Sequence, residues 1–194
     1  MFPQHILDKF ARIPHNSAPI GNTYYGVFNK ILTEVCFRAT KGPFTVCPQY
    51  PLLSASVPTT TIDSVVYVVE VNVVPVFFLE IQSPPHWHHL NLISTDGLDA
   101  EIADKQMRAR FCALYHLTQT PRLHGISAMG QKLAFYCLDK VTGHINYNYI
   151  APSTNDITNQ VPTEKWTDIT TEDGYQRFMA VINDVKEMAA ALYM

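Results

Sequence analysis

This chain has little charge. Charged residues make up 16% of its 194 positions, and the formal net charge is −3. A dedicated, non-specific nucleic-acid binder is usually basic, so this balance weighs against one while leaving room for a local basic groove. Cysteine is sparse too. Cys36, Cys47, Cys112 and Cys137 stand apart, with no C-x-x-C spacing. They read as reduced, partly buried thiols of an intracellular protein, cytoplasmic or nuclear, and not as a disulfide framework. The opening residues lack an uninterrupted apolar run with a small-residue cleavage site behind it, so no secretory signal is expected. No long oily run is present. The nearest candidate, residues 65–82, is broken by Glu70, Asn72, Pro75 and Glu80, which excludes a membrane-spanning helix. Gly125 and Gly130 belong to no phosphate-loop pattern and mark a hairpin. No serine nucleophile elbow appears. There is no internal repeat and no low-complexity tract.

What the chain does have is apolar residues, at 47%. That fraction buries a real core, so the expectation is one folded domain over residues 1–194. A short helix is expected near Ile6 and Phe10. Residues 23–38 carry Tyr24, Val27, Phe28, Ile31, Leu32 and Val35 at helical spacing. Residues 44–47 read as a strand ended by Pro48, and 48–61 as a loop. Residues 100–115 form a second helix with the stripe Ala103, Met107, Phe111 and Leu114. Strands are expected over 122–128, 132–138 and near 145–150. Residues 151–170 read as a polar loop, and Thr171 as the N-cap of a last helix to about Leu192. The order of elements predicts an α/β (α+β) fold, a central mixed sheet with helices on both faces. The core spans about 23–138, and a strand, loop and helix follow over 139–194.

The most hydrophobic stretch, IDSVVYVVEVNVVPVFFLEIQ from Ile62 to Gln82, has an acid at one end and an acid and an amide at the other. Asn72 suits a turn and Pro75 cannot lie mid-strand, so the stretch folds as a hairpin over 63–71 and 74–82. Alternation puts Glu80 and Gln82 on one face. An even-numbered connection places Asp63 on that same face, and an odd one does so only with a bulge. The expectation is one device or the other. Two carboxylates and an amide then converge at the sheet's end. Carboxylates repel and are costly to desolvate alone, and a divalent cation is the usual remedy. Mg²⁺ takes carboxylate, water and phosphate oxygens, and such a site polarises a phosphodiester. Strand-end acids are also common simply because strand ends meet water. Glu34 lies at the edge of the first helical stripe. Gln106 and Arg110, four apart, flank Met107 on the second helix. Each alone is an ordinary helix residue.

Together these features resemble the PD-(D/E)XK nuclease superfamily, with its restriction-endonuclease-like core. A helix bearing Glu precedes a strand pair with Asp and then Glu-x-polar, and a helix bearing Gln follows. The resemblance covers residues 23–138. More narrowly, FTVCPQYP, the hairpin, ADKQMRARF and LHGISAMG resemble a group of uncharacterised fungal proteins with this fold. The resemblance implies Mg²⁺- or Mn²⁺-dependent phosphodiester hydrolysis of DNA or RNA. Asp63 and Glu80 would be catalytic metal ligands, Glu34 would complete the metal shell, and Gln82 would stand at the motif lysine. Gln106 would orient the site or the phosphate. A homodimer is a common arrangement for such nucleases. Gln82 is the departure. A neutral amide cannot supply the lysine's positive charge, which leaves open a catalytically inactive binding or interaction protein on the same fold.

Two other groups have chemistry. His86, His88 and His89 form a cluster in a segment that reads as irregular, where residues so close in sequence rarely present the tetrahedral geometry zinc prefers. Lys105, Arg108 and Arg110, with Arg38 and Lys41, could track phosphates or simply be solvated. Cys112 and Cys137 fall in apolar stripes or strands, where inert core thiols are expected.

Overall fold

The computed structural model describes residues 1–13, 22–38, 42–50, 64–82, 98–146 and 166–193, with the backbone alone at residues 22, 23 and 98–102. Helix α1 (Gln4–Ala11) buries Ile6 and Phe10. Helix α2 (Asn22–Lys30) continues into a π-helical segment, Ile31–Cys36, closed by Phe37 N–H donating to Leu32 O at 2.9 Å. The apolar stripe predicts a plain α-helix here, and the wider turn is a correction. An i to i+5 repeat sets Cys36 and Phe37 under Ile31 and Leu32, so all four are buried while Val35 is only half-buried.

Among the described residues six strands form one sheet in sequence order: β1 (Phe44–Pro48), β2 (Ser64–Val71), β3 (Val74–Gln82), β4 (Arg122–Met129), β5 (Lys132–Asp139) and β6 (Thr167–Asp168). All neighbours are antiparallel except β3 and β4. That parallel pair needs a crossover, and helix α3 (Leu98–Leu114) lies between them in sequence. The sheet is therefore mixed, as its pattern predicts. The two-residue strand β6 falls inside the expected polar loop, and the pairing of Lys132 and Leu133 with Asp168 and Thr167 supplies it. Ile145 makes one bridge, to Leu138. Most of the strand expected near 145–150 lies outside the described residues.

Alternation sorts the strands into two layers. Phe77, Leu79 and Ile81 pack with Phe28, Ile31, Leu32, Phe178, Ile182 and Val185 under α1, α2 and α4 (Glu172–Ala189). On the opposite face Val66, Val68, Phe78 and Tyr136 pack against Met107, Phe111 and Leu114 of α3. Burying each such side chain contributes about 1.5–3 kcal/mol. The Thr171 hydroxyl caps α4 by accepting from Gly174 N at 3.1 Å, and the last helical turn is 3₁₀ over Ala190–Leu192.

The hairpin turns at Asn72 and Val73, with φ of 51° and 60°. Its register then shifts by one between Val69 and Glu70, so Glu70 faces Pro75 and Val69 faces Phe77. Pro75 has no N–H to give a ladder. It sits where β4 has not yet begun to pair, since that pairing starts at Phe77.

Candidate functional site: a buried polar row beneath helix α3

The bulge decides which side chains meet. Beyond it Ser64 pairs with Gln82 and Val66 with Glu80. Ser64 therefore shares a face with Glu80 and Gln82. The hairpin has both an even turn and a bulge, where one device or the other was the expectation, and it is Ser64 whose Oγ donates to Glu80 Oε1 at 2.8 Å. Asp63 lies outside the described residues, as does the His86, His88 and His89 cluster.

Glu80 has no exposed surface, and Gln82 only 2%. They lie under α3, which runs back along the sheet. Phe111 meets Phe78 edge-on, with ring centres 4.8 Å apart. Two residues further along β3, Glu80 Oε2 is 3.4 Å from Arg110 Nε. At that length and alignment the contact is an ion pair and not a formed hydrogen bond. One helical turn is about 5.4 Å and two strand residues are about 6.6 Å, so Gln106 falls near the level of Gln82. Ser127 enters from β4, paired in register with Glu80. Among the described residues, buried Gln82 Oε1 and Nε2, Gln106 Oε1 and Ser127 Oγ have no hydrogen-bond partner.

Burial pushes the Glu80 carboxyl above the ordinary range. The Arg110 charge and the Ser64 hydroxyl pull it back without overcoming burial. A second acid on the hairpin, Glu70, accepts the Cys47 thiol at 3.6 Å. Burial first, and then the charge of Glu70 and its hydrogen bond, hold Cys47 above its usual value; for Tyr50 burial is followed by the hydrogen bond to Glu70 and then its charge.

The other expected residues are elsewhere. Glu34 is 55% exposed and pairs with Lys30 at 3.1 Å, on the helix that covers the opposite face of the sheet from Glu80. The structure does not bring the two together. Lys105 is exposed, and Arg108 turns to buried Asp104 at 2.7 Å. Two of the basic groups on α3 thus face inward carboxylates. Cys112 is exposed, a correction to its expected place in an apolar stripe, while Cys137 is half-buried. Lys41 lies outside the described residues.

Ser64 and Ser127 are the members of the row that sequence reasoning missed. The register that selects Ser64 depends on the bulge, and Ser127 arrives through the parallel pairing of β3 and β4. Neither leaves a local signal.

Comparison with family models, curated proteins and solved structures returns no match to this chain. The Mg²⁺ that the resemblance implies must therefore be tested on the residues themselves. Among the described residues no three His, Cys, Asp or Glu side chains gather where they could hold a metal ion. Among the described residues the row has one carboxylate, Glu80. One of its oxygens is taken by Ser64, and its charge is met by Arg110. The described residues do not by themselves fit a divalent cation. Among them no helix is long and apolar enough to cross a membrane.

Proposed function

We propose that this chain is a binding or interaction protein on a restriction-endonuclease-like fold, in which phosphodiester hydrolysis is not retained. One observation carries the reading: the buried Glu80 carboxylate is already neutralised by Arg110 at 3.4 Å, while amide Gln82 stands at the motif lysine. A carboxylate so compensated has little charge left to hold a metal. Support for the fold comes from the order helix, strand pair, helix and further strands, which is the order the resemblance implies. DNA or RNA as partner and a homodimeric state rest on the resemblance alone. An intracellular place is supported by four free thiols, Cys112 among them exposed. The test is incubation with single- and double-stranded DNA and RNA in Mg²⁺ or Mn²⁺. No cleavage is expected.

A second reading, metal-dependent hydrolysis by Asp63 and Glu80 with Gln82 positioning water or phosphate, is favoured by one observation. Oxygens of Gln82, Gln106 and Ser127 without a partner among the described residues lie in the same buried row, and such neutral oxygens suit a hard cation's shell. Cleavage by the wild type that is lost in both Asp63→Ala and Glu80→Ala selects this reading and overturns the first.

A further inference from the structure

A carboxylate with no exposed surface must be neutralised, because isolated burial of its charge is prohibitive. For Glu80 the neutralising group comes from the chain itself. Arg110 projects from α3 with 16% of its side chain exposed, and its Nε is 3.4 Å from Glu80 Oε2. The helix offers Arg110 no acid of its own. Four residues back is Gln106 and four ahead is Leu114, both neutral. Arg108 differs, since it is held by Asp104 in its own helix at 2.7 Å. Counted over Glu80, Gln82, Gln106, Arg110 and Ser127, the row has one negative and one positive charge. A divalent ion added here would leave an excess of two positive charges in a low-dielectric interior.

We propose that Arg110 is the resident counter-ion of Glu80, a guanidinium standing in for a divalent cation and barring one from the carboxylate. This rests on the reading of Glu80 as the motif acid of a non-hydrolytic protein. It predicts that removing the Arg110 charge exposes a latent cation site whose anionic ligand is Glu80, with the neighbouring oxygens of Gln82, Gln106 and Ser127 available to complete it.

The experiment compares wild type, Arg110→Gln, Arg110→Lys and the double variant Arg110→Gln/Glu80→Gln by thermal unfolding, with and without MnCl₂. A ligand that binds only the folded state raises the midpoint. The wild type and Arg110→Lys should not respond to Mn²⁺. Arg110→Gln should have a lowered midpoint that Mn²⁺ raises. Adding Glu80→Gln should recover part of the lost midpoint and abolish the Mn²⁺ response. The proposal is overturned if Arg110→Gln ignores Mn²⁺, or if Mn²⁺ shifts the wild type as far. It is also overturned if the double variant is less stable than Arg110→Gln alone. Should Arg110→Gln not fold, the double variant decides: folded, it supports the counter-ion role, and unfolded, it refutes it. Nuclease activity in the wild type would overturn the non-hydrolytic reading and leave the stability comparison intact, so the two failures are distinguishable.

Discussion

Ser64 Oγ donates to Glu80 Oε1 at 2.8 Å across the hairpin, and none of the described residues donates a hydrogen bond to Glu80 Oε2. The carboxylate at the centre of the buried row thus depends on one hydroxyl and one guanidinium. Ser64→Ala removes the hydroxyl and should cost about 1–3 kcal/mol at neutral pH, since it strips a buried charged acceptor of its partner. Glu80 has a raised pKa because burial disfavours its charge. The folded state therefore binds this proton more tightly than the unfolded state. Its contribution to stability is fully present below the ordinary value of 4.5 and is lost as pH rises through the raised value. The hydroxyl favours the charged form, so the Ser64→Ala penalty should shrink as pH falls. Urea unfolding of both proteins at pH 7 and pH 4.5 checks this, and an equal penalty at both would refute it.

Asp184 on α4 ties the helix to β4. Its Oδ1 is 2.6 Å from Arg122 Nη2 and its Oδ2 is 2.5 Å from His124 Nε2. Burial alone pushes this carboxyl up, but the hydrogen bonds and charges of His124 and Arg122 outweigh it and hold the pKa below 3.8. A depressed carboxyl contributes stability that is present above its unfolded value and lost as pH falls through the folded one. Asp184→Asn should therefore destabilise at pH 7, and the penalty should shrink as pH falls below 3.8 and through the lowered folded value. Thermal midpoints of the pair across that range are the measurement. Parallel curves would mean that Asp184 does not act through its charge.

How much of this was legible in the sequence depends on how local each signal is. The hairpin, the α3 stripe Ala103, Met107, Phe111 and Leu114, and the Thr171 cap are set by residues close in the chain, and all are where the pattern puts them. The π-helical turn was not legible, because Val35 and Cys36 are equally apolar and the sheet beneath chooses between them. The bulge at Val69 and Glu70 was not legible as an addition to an even turn. It moves Ser64 onto Glu80's face, and one residue of register changes every facing. The Glu80–Arg110 pair joins residues 80 and 110 through the packing of α3 on β3. Spacing along the chain cannot reveal such a contact.

Gly125 is needed for want of space. A Cβ there would lie 2.4 Å from Phe78 Cζ and 2.9 Å from Phe111 Cζ. Neither ring can easily yield, because the two stack edge-on between the sheet and α3. Overpacking of this kind costs about 1–3 kcal/mol or more. Gly125→Ala should lower the unfolding free energy by an amount in that range, read as a lower urea midpoint. Phe78→Leu, which shortens the opposing side chain, should recover part of it in the double variant. If the two penalties simply add, the clash is not the cause.

Val73 is the weak point of the hairpin turn. It holds φ at +60° while 86% exposed, so no packing compensates the strain of a β-branched residue in left-handed backbone. That conformation costs about 1–2 kcal/mol for a residue with a Cβ. Glycine adopts it freely, and its greater loss of chain entropy on folding costs about 0.5–1 kcal/mol. The strain term is the larger. Val73→Gly also creates Asn-Gly, the pair that two-residue hairpins favour. The substitution should therefore stabilise the protein by up to about 1 kcal/mol, read as a higher urea midpoint with an unchanged slope. Asn72 must be left in place, because its Nδ2 donates to Leu192 O at 2.8 Å and pins the turn to the C-terminal helix. A lower midpoint for Val73→Gly would mean that the exposed valine contributes to stability in a way that neither its burial nor its backbone accounts for.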